Sequence, residues 1–316
     1  DYETWDWANL DMTEAKTADM LPGEYARAFL KNGLVLADKL GTNPFKMGFA
    51  GGGDIHTGLI TQDDDNFFGA FTWMEPNPER ANKIAKENSE LGISYKGHVY
   101  ATPGPTAVWA KSNTRAALFD ALKRRECYAT TGPRIRLRFF GGFDFSDDDI
   151  KVRDLAAPGY AKGVPMGGDL SSAPPERSPS FLVAALRDPD GANLDRIQIV
   201  KGWLDAVGSG QEKVYDVAWS GDRKPGGNGK LPPVGDTVDL TIPTWTNTIG
   251  SAELFVHWTD PDFDPDQRAF YYVRAIEIPT PRWTAYDAVR FDLEFSDDVP
   301  LKTQERAYTS PIWYTP

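Results

Sequence analysis

The sequence is poor in the residues that most often carry chemistry, with one cysteine, Cys127, and three histidines, His56, His98 and His257. A single cysteine excludes an intrachain disulfide and a zinc site built from cysteines. No apolar run approaches the length of a membrane-spanning helix. The chain also lacks a Gly-x-Ser-x-Gly nucleophile elbow, a phosphate-binding P-loop and a dinucleotide-binding glycine motif. These absences exclude several large classes of enzyme.

The charge balance is acidic, with 46 Asp and Glu against 34 Lys and Arg, and a formal net charge of −12 at pH 7. Such a surface repels phosphate backbones, so we expect no nucleic-acid partner. It is compatible with divalent cations, and solubility explains it equally well. The 316 residues are enough for a well-buried core and two domains. The 24 prolines and 29 glycines indicate many turns and a β-rich fold.

The first part of the chain mixes helices and strands, as in an α/β barrel or a layered sheet. Apolar spacing predicts an amphipathic helix over 22–40, with Gly41 at its C-cap. A buried strand over 45–50 is predicted to follow and to end in the glycines 51–53. A loop is predicted over 61–78 and a polar helix over 79–91. A second helix is predicted over 114–125, with Ser112 or Asn113 as its N-cap. Strands are predicted over 106–110, 128–131 and 134–139.

From about residue 141 the pattern changes to short strands separated by turn residues, such as Asp-Pro-Asp-Gly at 188–191. Strands without intervening helices are typical of an antiparallel β-sandwich. The predicted strands are 180–187, 194–201, 213–219, 236–242, 252–258 and 269–278. We therefore predict a first domain over 1–145 and a sandwich-like domain over 146–316, with the last strand, about 304–316, returning to the first domain.

Asp54 and His56 stand two residues apart, directly after the three glycines. On an extended backbone, side chains at this spacing point the same way, so both can meet one cation. The glycines allow close approach and unusual backbone dihedrals. A hydrogen-bonded structural histidine and a catalytic base are the alternatives for His56.

Other charged residues give weaker indications. Asp64 lies in the acidic run 63–65, which is either a solvated loop or the edge of a cleft near His56. Arg134 and Arg136 alternate with apolar residues on one face of a predicted strand, together with the arginine at 138. These arginines can bind an anionic substrate or simply face an acidic neighbouring domain.

The remaining two histidines and a second acidic run are predicted to be structural or solvent-exposed. We expect His98 to be exposed and His257 to belong to the sandwich. The run over 260–266 is expected to form a rigid acidic turn, with calcium binding as the alternative. It lacks the Gly and Glu of an EF-hand loop.

Several long segments resemble the domain-of-unknown-function family 3604 through essentially the whole chain. They include NGLVLADKLGTNPFKMGFAGGGDIHTGL, DDNFFGAFTWMEPNPER, AVWAKSNTRAALFDALKRRECYATTGPRIRLRFFGGFDF and the ending ERAYTSPIWYTP. That family resembles a branch of the polymerase-and-histidinol-phosphatase (PHP) superfamily of metal-dependent hydrolases. The resemblance implies the C-terminal part of a distorted β/α barrel, followed by the antiparallel β-sandwich-like domain.

The resemblance also implies roles for residues. Asp54 and His56 match an Asp-x-His metal-ligand motif of a site that holds zinc, manganese or iron. Asp54 would also orient or deprotonate the attacking water, and the arginines or Asp64 would contact a small ester substrate. The family usually has Ser and Thr before the Asp and a hydroxyl residue between the ligands, where this chain has Gly52, Gly53 and Ile55.

The superfamily's early His-x-His motif is absent from the sequence. We therefore expect an upstream polypeptide to complete the site of a metal-dependent hydrolase that hydrolyses esters by hydroxide attack. The alternative is a non-catalytic module that binds carbohydrate or a protein partner. A homo-oligomer is compatible with either. The family's habits and the low cysteine content favour an extracytoplasmic location, periplasmic or secreted, in a bacterium.

Overall fold

The computed structural model describes residues 6–152, 154–227 and 229–316. Residues 1–5, with which the predicted first domain begins, lie outside the described part, as do Arg153 and Asn228. Over the described ranges the chain forms a mixed α/β fold that is dominated by antiparallel sheets. The helices there are α1 (Ala26–Leu40), α2 (Arg115–Lys123), α3 (Ala156–Lys162) and α4 (Trp283–Phe291).

The strands are numbered in chain order. They are β1 (Ile84–Asn88), β2 (Ile93–Lys96), β3 (Thr106–Val108), β4 (Cys127–Thr130), β5 (Arg136–Gly142), β6 (Gly163–Pro165), β7 (Asp169–Ser171), β8 (Ser180–Leu186), β9 (Leu194–Leu204), β10 (Gly210–Trp219), β11 (Glu253–Thr259), β12 (Ala269–Glu277), β13 (Thr280–Pro281), β14 (Lys302–Thr303), β15 (Arg306–Thr309) and β16 (Ile312–Thr315). Short 3₁₀ turns lie at Leu21–Gly23, Asp64–Asn66, Thr72–Met74 and Gly97–Val99.

Two sheets make up most of the fold. The larger runs in the order β10-β9-β12-β15-β4-β3, with β16 paired to β12 and to β7. The smaller runs β11-β8-β5-β6. Within the described ranges the pairings are antiparallel, apart from the parallel pair of β16 and β7. These sheets confirm the antiparallel, β-rich character that the turn spacing predicts for the second half of the chain.

The two sheets share one hydrophobic core. Phe139 of β5 and Phe181 of β8 lie in the same buried cluster as Ile199 of β9 and Tyr271 of β12. The rings of Phe181 and Tyr271 have centroids 4.6 Å apart. Burial of these large apolar side chains is the main stabilising contribution that joins the sheets.

The predicted barrel is not confirmed. Among the described residues no sheet closes on itself, and the only sheet before β3 is the two-stranded pair of β1 and β2. The prediction of a strand over 45–50 is wrong, because the backbone of this segment forms hydrogen bonds with side chains rather than with another strand. The Phe49 N–H donates to Ser310 Oγ at 2.9 Å, and Cys127 Sγ donates to the Phe49 carbonyl at 3.3 Å.

Two further predicted elements are wrong for local reasons. The helix predicted over 79–91 is largely the hairpin of β1 and β2, whose turn contains Gly92 at φ +65°. The strand predicted over 236–242 is a loop, in which the carboxylates of Asp236 and Asp239 accept backbone N–H groups two residues further on. Such side-chain turns compete with strand pairing.

The predicted helices over 22–40 and 114–125 are confirmed as α1 and α2, with shorter bounds. Gly41 ends α1 at φ +73°, and its N–H donates to the Ala37 carbonyl. The cap of α2 is Thr114, rather than Ser112 or Asn113, because its hydroxyl accepts the Ala117 N–H.

Strands from both sides of residue 145 are paired with each other. The strand β4 pairs with β15 near the C-terminus, with Thr130 opposite Ala307. In the smaller sheet, β5 pairs with β8. The predicted division at residue 145 stays a prediction. No helix in the described ranges is long and apolar enough to cross a membrane.

Candidate functional site

Asp54 and His56 form the pair that their spacing predicts. His56 Nε2 lies 2.9 Å from Asp54 Oδ1, and the two side chains are 54% and 89% exposed. The pair is therefore open to solvent, and the roles predicted for His56 as a metal ligand, a hydrogen-bonded structural residue or a catalytic base all stay predictions. An exposed carboxylate and imidazole in contact can bind a cation, hold a proton or orient a water molecule.

The imidazole is held in place by its neighbours on the other side. The backbone N–H of His56 donates to the Ala70 carbonyl at 2.8 Å, which fixes the main chain at this residue. The ring of His56 lies against Phe71, with centroids 4.6 Å apart and planes inclined by 33°. Phe71 in turn stacks with Trp73 at 6.3 Å. One face of the ring is thus covered by an aromatic side chain, while the nitrogens remain accessible.

The segment that carries Ala70 and Phe71 is fixed by a buried guanidinium. Arg80 donates to the carbonyls of Phe67 and Met74 at 2.6 and 2.8 Å. Its charge is balanced by Asp287 of α4, at 2.6 and 2.8 Å. The guanidinium also lies 4.7 Å from the ring of Trp283. A buried ion pair with its hydrogen bonds satisfied makes this support rigid.

On the other side of the pair, Gly51 and Gly53 fit against the segment Pro103-Gly104-Pro105. A Cβ on Gly51 would stand 2.5 Å from the Gly104 carbonyl oxygen, and one on Gly53 would stand 2.3 Å from Pro103 Cβ. Thr106 Oγ1 donates to the Gly51 carbonyl at 2.7 Å. The missing side chains thus permit the close approach that the sequence predicts for these glycines.

Asp64 and Arg134 line one acidic cavity of about 300 Å³, whose lining does not include Asp54 or His56. Asp64 Oδ1 accepts the Trp283 N–H at 2.8 Å. Arg134 donates through Nε to Asp188 Oδ2 at 3.3 Å. The acidic run 63–65 therefore does edge a cleft, together with Arg134, although the cleft lies apart from His56.

Three of the carboxyl groups that line this cavity, those of Glu277, Glu305 and Asp63, have raised pKa values. Burial, followed by the charge of Asp188, raises the pKa of Glu277 to about 8. Burial and the charge of Asp64 raise the pKa of Glu305 well above its usual value. Burial, with Asp65, also raises the pKa of Asp63. With a pKa of about 8, Glu277 remains largely protonated near neutral pH, which removes the cost of a buried charge at this residue.

Arg136 lies apart from Arg134, in a groove next to Arg138. The guanidinium carbon of Arg138 lies 3.3 Å from the centre of the Trp109 ring. On β5 the two arginines alternate with the buried residues Leu137 and Phe139, as the sequence predicts, although only Arg136 is exposed and Arg138 is half-buried. The three arginines do not converge, however, because Arg134 is bound by Asp188 and Arg138 by Trp109.

The remaining histidines lie in other surroundings. His98 is half-buried. Burial lowers the pKa of its imidazole, and the positive charges of Arg282 and Lys96 lower it further. The negative charge of Asp298 partly offsets this lowering. His257 of β11 contacts Asp147 through Nδ1 at 2.8 Å.

The acidic turn over 260–266 is tied to the sandwich by lysines. Asp260 forms a buried pair with Lys201, with 2.7 Å between Oδ2 and Nζ. Asp262 pairs with the ammonium group of Lys213. These contacts fit the structural role that the sequence predicts for the turn.

Comparison with known proteins gives one match. The sequence profile of the family described as "Protein of unknown function (DUF3604)" matches residues 1–316. The chain belongs to this family. No curated protein and no solved structure matches it. The match confirms the family that the sequence segments indicate, while the relation of the DUF3604 family to PHP hydrolases stays a prediction.

Asp54 and His56 do not make a complete metal site by themselves. Within the described ranges no group of three or more His, Cys, Asp or Glu side chains could hold a metal ion. Catalytic zinc sites commonly use three protein ligands. A site with three such side-chain ligands in this place would therefore need one that the described His, Cys, Asp and Glu residues do not supply.

The sequence reasoning missed Arg274, which lies in the middle of β12. All nine residues of this strand are buried. A charged residue within the apolar run FYYVRAIEI was the available signal, because a fully buried arginine normally has a partner. Arg274 lines a cavity of about 390 Å³.

Proposed function

We propose that this DUF3604 chain contributes Asp54 and His56 to the active site of a metal-dependent hydrolase that acts on small esters, first of all phosphoesters. The observation that carries the proposal is the 2.9 Å contact between two exposed side chains on a well-supported loop. Both side chains are exposed, so the pair presents donor atoms to solvent.

The contact between the two side chains orients the imidazole. When His56 Nε2 carries its hydrogen and donates to Asp54 Oδ1, Nδ1 presents a lone pair. Carboxylate partners commonly fix metal-binding histidines in this way. The second carboxylate oxygen of Asp54 remains available as a ligand or as a proton acceptor. Phe71 packs against the ring and limits how far it can turn.

The proposed site needs further ligands, and we place them on a polypeptide that precedes this chain in the intact protein. Zinc, manganese or iron would suit a site with both an imidazole and a carboxylate. A divalent cation supplies the positive charge that makes water a nucleophile near neutral pH. The C-terminal part of a PHP-like barrel, completed by the same polypeptide, belongs to this proposal.

The second candidate is a non-catalytic binding module, which the two-donor site favours. The carbohydrate-binding version of it would need exposed, coplanar tryptophans. In the described part of the chain Trp7 is the one exposed tryptophan, at 36%. The structure therefore offers no platform of several tryptophans in those ranges, and a protein partner is the better form of this alternative.

Hydrolysis of 4-nitrophenyl phosphate and of its bis(4-nitrophenyl) diester by the full-length protein tests the proposal. We expect activity that a chelator abolishes and that added zinc or manganese restores. The Asp54→Asn variant should lose at least about 100-fold in kcat/KM, as for other residues that act on the reacting groups.

Asp147→Asn provides the matched control, because Asp147 is also an exposed carboxylate in contact with a histidine. It should retain the activity of the unchanged protein. Activity that resists chelation, or an equal loss in both variants, would overturn the proposal.

A further inference from the structure

A second cavity lies between the start of α1, the segment 48–50 and the strands β12 and β15. Its volume is about 390 Å³. The residues that line it include Arg27, Phe49, Ala50, Tyr272, Arg274 and Tyr308. It combines apolar walls with two guanidinium groups, in a chain whose net charge is −12. Asp54 and His56 are not part of its lining.

Arg274 is the unusual residue of this cavity. The residue is 4% exposed. One of its nitrogens, Nη2, donates to Gln198 Oε1 at 2.6 Å. Its Nε is buried and has no hydrogen-bond partner among the described residues. No ion pair joins it to a carboxylate in those ranges, so its charge is not balanced there.

The groups that face Arg274 increase this imbalance. Burial and the positive charges of Arg27 and Arg306 lower the pKa of Arg274. Tyr272 and Tyr308 act in the opposite direction and raise it. Arg27 is itself paired, since Nη1 lies 3.0 Å from Glu212 Oε1 and Nε donates to the Tyr272 hydroxyl at 3.0 Å.

A guanidinium group stays charged at any physiological pH, so Arg274 cannot avoid the cost of burial by releasing its proton. A buried charge without a partner is strongly destabilising. Glu277 in the acidic cavity is different, because a carboxyl group becomes neutral by taking up a proton. The unbalanced charge of Arg274 therefore points to an anion that is bound when the protein functions.

We propose that this cavity binds the oxyanion group of a small organic molecule, a carboxylate, a phosphate or a sulfate. The Arg274 guanidinium, which lines the cavity, donates to the oxyanion, while Arg27 at the same cavity stays paired with Glu212. Phe49 and Ala50 provide an apolar surface for the organic part of the ligand. A low-dielectric cavity strengthens such contacts, so few charges suffice. The site is independent of the proposed Asp54–His56 site.

Isothermal titration calorimetry and thermal unfolding with phenyl phosphate, phenyl sulfate, benzoate and inorganic phosphate test the proposal. We expect at least one of the three organic oxyanions to bind the unchanged protein and to raise its melting temperature. Arg274→Met should weaken that binding at least tenfold. The control, Arg115→Met, removes an exposed arginine at the start of α2 and should leave the affinity unchanged.

Arg274→Lys keeps the positive charge but loses the planar guanidinium group with its several N–H donors. This variant tests the proposed oxyanion site if Arg274→Met fails to fold. Binding that is weakened but retained in Arg274→Lys supports the site. Failure of all three organic oxyanions to bind would overturn the proposal, and so would binding that survives Arg274→Met unchanged. Inorganic phosphate that binds as tightly as phenyl phosphate would contradict the role of the apolar walls.

Discussion

Arg80 and Asp287 form a buried two-pronged salt bridge, with Nε–Oδ2 at 2.6 Å and Nη2–Oδ1 at 2.8 Å. Both side chains are 1% exposed. Through the carbonyls of Phe67 and Met74, the same guanidinium fixes the segment on which His56 rests. The support of the proposed active site thus depends on a charge on α4, more than 200 residues further along the chain.

Removing the charge of Asp287 should therefore destabilise the protein. Asp287→Asn leaves the Arg80 guanidinium buried without its counter-charge, and we expect the free energy of unfolding to fall by about 3–5 kcal/mol. Urea denaturation measures this change. Asp148→Asn breaks an exposed pair with Lys151 and should have almost no effect. A similar small effect of Asp287→Asn would contradict the role given to this salt bridge.

The glycines before Asp54 should differ in their tolerance of a side chain. Gly51→Ala places a methyl group against the backbone oxygens of Gly104 and Pro105, and we expect a loss of about 1–3 kcal/mol of stability from overpacking. Gly52→Ala is the matched control, because a Cβ at Gly52 meets nothing within 4 Å. Thermal unfolding of both variants checks this, and equal melting temperatures would show that the close approach is unimportant.

Glu277 should make the protein less stable as the pH rises. Its pKa is about 8 in the folded chain, against 4.5 as the ordinary value. Between these values the folded state binds a proton that the unfolded state releases, so the free energy of unfolding falls as pH rises and levels off above pH 8. The loss is at most about 5 kcal/mol. The carboxyl of Glu305 acts in the same direction.

Glu277→Gln should remove part of this dependence, because the amide does not titrate. We expect the variant to match the unchanged protein at pH 5 and to exceed it in stability at pH 9, as measured by urea denaturation. The groups that face Glu277 are Asp188, Arg187 and the Ala192 N–H, and they stay unchanged. Glu90→Gln, on an exposed turn, should leave the pH dependence as it is. If the stability of both variants depended on pH as that of the unchanged protein does, Glu277 would be ruled out as the cause of the pH dependence.

The strongly patterned elements were predictable from the sequence. Helix α1 has a clear apolar stripe and a C-cap glycine, and β8, β11 and β12 are largely apolar runs bounded by turn residues. The segment 45–50 was not predictable, since it is as apolar as a strand but pairs with Ser310 and Cys127 from distant parts of the chain. Local composition carries no information about such partners.

The candidate site was predictable only in part. The spacing of Asp54 and His56 was enough to expect their contact. The support from Phe71 and from the Arg80–Asp287 pair was not, because it depends on contacts between distant segments. Arg274 gave a usable signal as a charge within an apolar strand, but its lack of a counter-charge became visible only in the fold.

Metal content tests the central proposal most directly. The full-length protein, purified without chelators or affinity metals, would be analysed by plasma mass spectrometry beside its His56→Ala and Asp147→Asn variants. We predict near-stoichiometric zinc, manganese or iron in the unchanged protein and in Asp147→Asn, and a sharp fall in His56→Ala. Absence of a transition metal from the full-length protein, or a metal content that His56→Ala leaves unchanged, would contradict the assignment of Asp54 and His56 to a metal site.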